Sequence, residues 1–124
     1  MPQVALVVDD SMLVRHTVCR FLEERGYEVE SATNGAEALQ MMGCVRPDLI
    51  ITDMIMPRMT GPELITALKS NPTTASIPIV VIAGRNAAKD ARTETRADYV
   101  IFKDIDIVAQ LQKALAKVFA PSAC

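Results

Sequence analysis

Five short apolar runs alternate along the chain with segments of helical periodicity, and this alternation restricts the fold more than any other feature. Residues 4–8 form a continuous apolar run that ends in Asp9-Asp10. Residues 27–32 alternate in polarity, residues 48–52 and 77–82 read as buried strands, and residues 99–102 make the last run. Between them, Val14, Val18, Phe21 and Leu22 mark a helical stripe with Ser11 as its cap and Gly26 as its stop. Ala38, Leu39 and Met42 follow Asn34 and Glu37, whose spacing is that of a capping box. Leu64, Ile65 and Leu68 follow a second box, Thr60 with Glu63, and Pro62 falls in the first turn, where its missing N–H costs little. Val108, Leu111, Leu115 and Val118 mark the last helix, with Asp104 or Asp106 as cap. Strands interleaved with helices predict parallel βαβ units with right-handed crossovers, hence an α/β, doubly wound, five-stranded parallel sheet.

One segment departs from the pattern. Residues 85–96, "RNAAKDARTETR", hold nothing apolar larger than Ala87, Ala88 and Ala91. A helix there buries little, which predicts a weak or short fourth helix. The 124 residues fit one domain, 1–124, and an apolar half argues against disorder. A net charge of −2 leaves no basic surplus for nucleic acid or an anionic membrane. No apolar run approaches the roughly 20 residues that cross a bilayer, and the opening Met1-Pro2-Gln3-Val4 lacks the cationic start of a signal peptide. Cys19, Cys44 and Cys124 form no CxxC pair and read as reduced thiols in a cytoplasmic protein.

The charges at the strand ends point to chemistry. In doubly wound sheets, ligands bind outside the carboxyl ends of the strands, near the switch in strand order. A flavodoxin-like order, 2-1-3-4-5, makes the first and third strands neighbours at that switch. Asp9 and Asp10 would then meet Asp53, at the end of "LIITD", with Lys103 arriving from the fifth strand. Three carboxylates in one cleft repel each other unless a cation joins them. An all-oxygen donor set favours a hard ion, best Mg²⁺, which accepts one or two carboxylates and keeps several waters. Beside such an ion, an aspartate can accept a phosphoryl group, and Lys103 can supply a second positive charge to its oxygens.

With "LVVDDS", "DMIMPRMTG" and "ADYVIFK" in this order, the chain resembles a response-regulator receiver domain of the single-domain chemotaxis type, from Val4 to about Phe119. The resemblance implies a two-component signalling protein with Asp53 as phosphoacceptor and phosphate supplied by a histidine kinase or phosphotransfer protein. It implies Mg²⁺ at Asp10 and Asp53, with Asp9 directly or through water and the carbonyl of Ile55. Lys103 and the backbone at Ile55 and Gly84 would contact the phosphoryl group. Met56 and Pro57 would shape the loop leaving the acceptor, and Gly61 would open the next helix. Output would pass to a downstream protein, with no direct nucleic-acid or membrane contact, and a homodimer stays open. On this reading the chain is a phosphoacceptor with room for self-dephosphorylation, not a turnover enzyme.

Three positions depart from the family pattern. Where receivers carry Ser or Thr at the end of the fourth strand, this chain has Ala83. The missing hydrogen bond to a charged group is worth roughly 1.5–3 kcal/mol. The switch aromatic of the fifth strand falls at Val100, while Tyr99, one place earlier, faces the opposite side. The lysine is followed by Asp104 instead of proline, which predicts a trans Lys103–Asp104 bond, since a cis bond without proline costs about 3–4 kcal/mol. The stretch from Ala83 to Lys103 is also slightly shorter than typical. The acid end is complete and the relay end is altered.

An alternative follows from these departures: a pseudo-receiver that serves as a phosphorylation-independent interaction module. An aspartate-nucleophile phosphatase is disfavoured, because its D-x-D motif would need an acid where Ile55 stands. No G-x-x-x-x-G-K-[ST] loop occurs, against a nucleotide hydrolase. Ile55 and Arg85 occupy positions that tune loss of phosphate in the family, and an apolar Ile55 implies slow loss. His16 reads as an ordinary residue of the first helix. Met41, Met42, Met54, Met56 and Met59 read as packing, not as a soft-metal site.

Overall fold

The apolar runs pair into one parallel sheet. The computed structural model describes residues 3–84, 87–94, 96–103 and 106–119. Strands β1 (Val4–Val8), β2 (Glu28–Ala32), β3 (Leu49–Asp53), β4 (Ile79–Ala83) and β5 (Tyr99–Phe102) lie in the order β2-β1-β3-β4-β5. All four pairings are parallel, as expected from the alternation of strands and helices. Every position of β3 and β4 is buried. Both faces of those strands are covered, which is why their sequences are apolar runs and not alternating ones. At the edge, β2 keeps mostly exposed positions and the alternating pattern.

Helices α1 (Met12–Glu24) and α5 (Ile107–Val118) cover one face. Val18, Phe21, Leu22 and Leu111 pack there with Val7, Leu49, Ile51 and Ile82. Helices α2 (Gly35–Met41), α3 (Gly61–Ser70) and α4 (Ala88–Thr93) cover the other. On that side Ala38, Leu64, Ile65, Leu68 and Ala91 meet Leu6, Val8, Ile50, Val81 and Ala83. Each Leu or Ile that is fully withdrawn from water contributes about 1.5–3 kcal/mol before the entropy of ordering is subtracted.

Local chemistry sets most boundaries. Ser11 Oγ accepts from Val14 N at 3.3 Å and starts α1. Thr60 and Glu63 form the complete reciprocal box, at 2.9 and 3.3 Å. At Asn34 half the expected box forms: its Oδ1 accepts from Glu37 N at 2.8 Å, while the Glu37 carboxylate accepts from Thr33 Oγ1 at 3.1 Å. Of the two candidate caps for the last helix, Asp106 does the work, accepting from Ala109 N at 3.2 Å. The fourth strand starts at Ile79, later than expected, because Pro78 has no N–H for a ladder and Ile77 N closes a turn on Thr74 O. The second strand starts at Glu28, since Tyr27 N is bonded to Leu22 O at the end of α1. The fourth helix is short, as expected: six residues, with no side-chain cap, buried through Ala91 and the preceding Ala87.

Candidate functional site

The strand order brings the C-terminal ends of β1, β3 and β5 to one edge, and each delivers a charge there. Val8 pairs with Thr52, so Asp9-Asp10 and Asp53 leave adjacent strands side by side. Asp9, Asp10 and Asp53 each offer a carboxylate oxygen within 4.8 Å of the others. Asp9 is fully buried, Asp53 is 3% exposed, and Asp10 faces solvent. Lys103 follows β5, its N–H held by Ala83 O at 2.9 Å. Its Nζ donates to Asp53 Oδ2 at 2.9 Å and stands 3.3 Å from Asp9 Oδ2.

Backbone groups fix both buried acids. Asp9 Oδ1 accepts from Ser11 N at 2.8 Å, and Asp53 Oδ1 accepts from Met54 N at 2.8 Å. Arg15 Nη1 donates to the Asp9 carbonyl at 2.8 Å, a support that nothing in the local pattern announces. Asp9 Oδ2 is buried and makes no hydrogen bond among the described residues; its contact with Lys103 is an ion pair at 3.3 Å. Burial pushes the Asp9 carboxyl up from 3.8 to about 6, and the charge of Asp53 adds to the rise. The Ser11 N–H and the Lys103 ammonium pull the other way without cancelling it. For Lys103, burial works against the charge, but the bond to Asp53 and the field of Asp9 outweigh it and hold the ammonium above its usual range.

The loop that leaves Asp53 is tightly folded. Gly61 N returns to Met54 O at 2.9 Å, and a Cβ at Gly61 would collide with the Asp53 carbonyl. Only glycine lets α3 begin that close to the acceptor. Met59 N bonds to Pro57 O at 2.8 Å across Arg58, whose φ is 70°. This is a γ-turn centred in the left-handed region, a strained geometry for a residue with a side chain.

Among the described residues the donor set suits a hard divalent cation: three convergent carboxylates, one buried oxygen without a hydrogen bond, and no sulfur or imidazole in the cluster. Gly84 lies beside Lys103, whose Cδ would be 3.9 Å from a Cβ placed there. Ile55 is 56% exposed. Ala83 is fully buried on the face covered by α3 and α4, where it offers no hydroxyl. Val100 packs against that same face, whereas Tyr99 packs on the α1–α5 side, as its place in the strand predicts. Asp104 and Arg85, with the expected trans bond and the tuning role, lie outside the described residues. His16 is an exposed residue of α1. Met54 and Met56 belong to the core under α2 and α3, and Met41, Met42 and Met59 pack against it. Cys19 and Cys44 are free thiols. A surface cavity of about 220 Å³ is lined by Met12, Arg15, His16, Cys19 and Ser31 and includes none of the acids.

Residues 5–116 match the family described as the response regulator receiver domain. The chain belongs to this family. Response regulator MprA of Mycolicibacterium vanbaalenii is 40% identical over 90 residues, covering 73% of this chain and 38% of that protein. The chain thus spans about two-fifths of the length of the curated relatives it matches. Among solved structures, chemotaxis response regulator CheY4 of Vibrio cholerae superposes with a TM-score of 0.82 at 31% identity, over 96% of this chain and 100% of that one. A putative response regulator from Chloroflexus aurantiacus gives 0.84 at 28% identity, over 95% and 98%. The protein is therefore a receiver domain of two-component signalling with the flavodoxin-like sheet.

Proposed function

We propose that this receiver accepts a phosphoryl group on Asp53 from the phosphohistidine of a kinase or phosphotransfer protein, with Mg²⁺ as cofactor, and passes the signal to a downstream protein. The observation that carries the reading is the convergence of Asp9, Asp10 and Asp53 with Lys103 at one strand edge. In the transfer, a carboxylate oxygen of Asp53 bonds to phosphorus as the P–N bond to the donor imidazole breaks, its electron pair staying on nitrogen. Asp9, Asp10 and Asp53 would hold the metal, with the Ile55 carbonyl. When bound, Mg²⁺ supplies positive charge that draws the phosphoryl oxygens toward the acids. The Met54 N–H and Lys103 Nζ orient the Asp53 carboxylate, and Lys103 is placed to follow the charge onto the phosphoryl oxygens. Gly84 keeps the space beside Lys103 free of a side chain.

The product is a phosphorylated acceptor and not a turnover reaction, and an apolar, exposed Ile55 gives no polar group to orient a hydrolytic water. This supports a long-lived phosphoryl group. A cytoplasmic location agrees with the reading. Borohydride reduction tests it: an acyl phosphate on Asp53 is reduced to an alcohol, so peptide sequencing after phosphodonor treatment should find homoserine at position 53. Unmodified Asp53 under conditions that label an ordinary receiver would overturn it.

A second reading rests on Ala83. With no hydroxyl at a fully buried position facing α4, the phosphoryl group loses its usual reporter. The same domain would then act as an interaction module whose surface is indifferent to phosphate.

A further inference from the structure

The methionine side chains of the acceptor loop are not used by the phosphoryl chemistry. Met59 ends the strained turn at Arg58, half-exposed, and packs against the buried core under α2 and α3. Its side chain lies flat on the first residue of α2. A Cβ built on Gly35 would be 2.8 Å from Met59 Cγ and 2.9 Å from both its Cβ and Sδ. The thioether therefore occupies the space that a side chain at Gly35 would need, and it joins α2 to the loop from Asp53 to Gly61.

We infer that Met59 is a site of reversible oxidative modification whose sulfoxide form releases the acceptor loop from α2. A hydroperoxide delivers one oxygen to a lone pair of Sδ. The O–O bond breaks, the departing oxygen takes up a proton and leaves as water or alcohol, and the thioether is oxidised by two electrons while the peroxide is reduced. The product replaces a soft apolar contact with a polar, chiral group. No room for the new oxygen exists toward Gly35, and the apolar cluster that Met59 packs against offers it no hydrogen bond through its side chains. The contact opens, and with it the packing that holds an already strained turn. Methionine sulfoxide reductases, one for each epimer, would restore it.

Met12, 74% exposed at the start of α1, serves as an internal control, since its oxidation disturbs no packed contact of this loop. The experiment treats the full chain with hydrogen peroxide, maps sulfoxides by peptide mass, and measures amide exchange. In the wild type, residues 35–38 and 54–61 should exchange roughly tenfold faster, as expected when one contact that closes a local segment is lost. Reduction of the sulfoxides should restore protection. In Met59→Leu, a volume-conserving change that cannot be oxidised, Met12 should still react while exchange in both segments stays unchanged. Sulfoxide at Met59 with unaltered exchange in the wild type would overturn the inference. So would an equal acceleration in Met59→Leu, or a Met59 that stays unmodified in the folded protein. The readout needs no phosphorylation, so it fails or succeeds independently of the role proposed for Asp53.

Discussion

Lys103 Nζ donates to Asp53 Oδ2 at 2.9 Å across fifty positions of sequence, and the same ammonium stands 3.3 Å from Asp9 Oδ2. One cation thus balances two buried acids, while the third, Asp10, faces water. Lys103 supplies part of the neutralisation that a bound cation would share.

Replacing that cation exposes the repulsion. Lys103→Met should lower stability by about 2 kcal/mol in a chelator, less than the 3–5 kcal/mol for a fully buried pair because Lys103 is partly solvated. Mg²⁺ should recover more stability in the variant than in the wild type, because the competing ammonium is gone. Urea denaturation with and without Mg²⁺ checks both signs.

The raised Asp9 carboxyl gives the metal-free protein a pH dependence of defined sign. Between its unfolded value near 3.8 and its folded value of about 6, the folded state holds a proton that the unfolded state releases. The contribution is complete below the lower value and is lost as pH rises through the upper one, amounting to at most about 3 kcal/mol. In a chelator, stability should therefore fall from pH 4 to pH 7 through this group. Following the Asp9 carboxyl carbon by NMR titration isolates it from other carboxylates.

The loop between Asp53 and Gly61 contains strain and a close approach that substitutions separate. Arg58→Gly relieves a φ of 70° and should raise stability by roughly 1 kcal/mol. Gly61→Ala forces a methyl group into the Asp53 carbonyl and should lower stability by about 2 kcal/mol or more. Paired thermal melts read the two opposite shifts.

Much of this architecture was legible because the chemistry lies at the strand ends. Apolar runs interleaved with helical stripes predict the parallel sheet, and their charged ends, Asp9-Asp10, Asp53 and Lys103, predict the edge where the charges meet. Local signals with a single mechanism, such as Thr60 with Glu63, read correctly in full. Signals with competing partners did not: Glu37 turned to Thr33, and Pro78 delayed the fourth strand. The support of Asp9 by Arg15, the left-handed Arg58 and the ion pair of Asp9 Oδ2 with Lys103 arise from packing in three dimensions, and no spacing rule encodes them.

Ala83 tests whether phosphate can be sensed. Ala83→Ser adds one hydroxyl to a buried apolar site and should cost about 1–3 kcal/mol without phosphate. With phosphate, a new charge-assisted bond of roughly 1.5–3 kcal/mol would shift the active population about tenfold or more. The phosphodonor-dependent change in amide exchange over residues 96–103 should be larger in Ala83→Ser than in the wild type. Equal responses would show that the relay does not pass through this position.

Acceptance of a phosphoryl group by Asp53 should depend on Mg²⁺. Intact mass after incubation with an acyl phosphate tests it directly, in wild type with Mg²⁺, in wild type with chelator, and in Asp53→Asn with Mg²⁺. One phosphoryl group should be added in the first sample and little or none in the others. No addition to the wild type, or equal addition to Asp53→Asn, would contradict it.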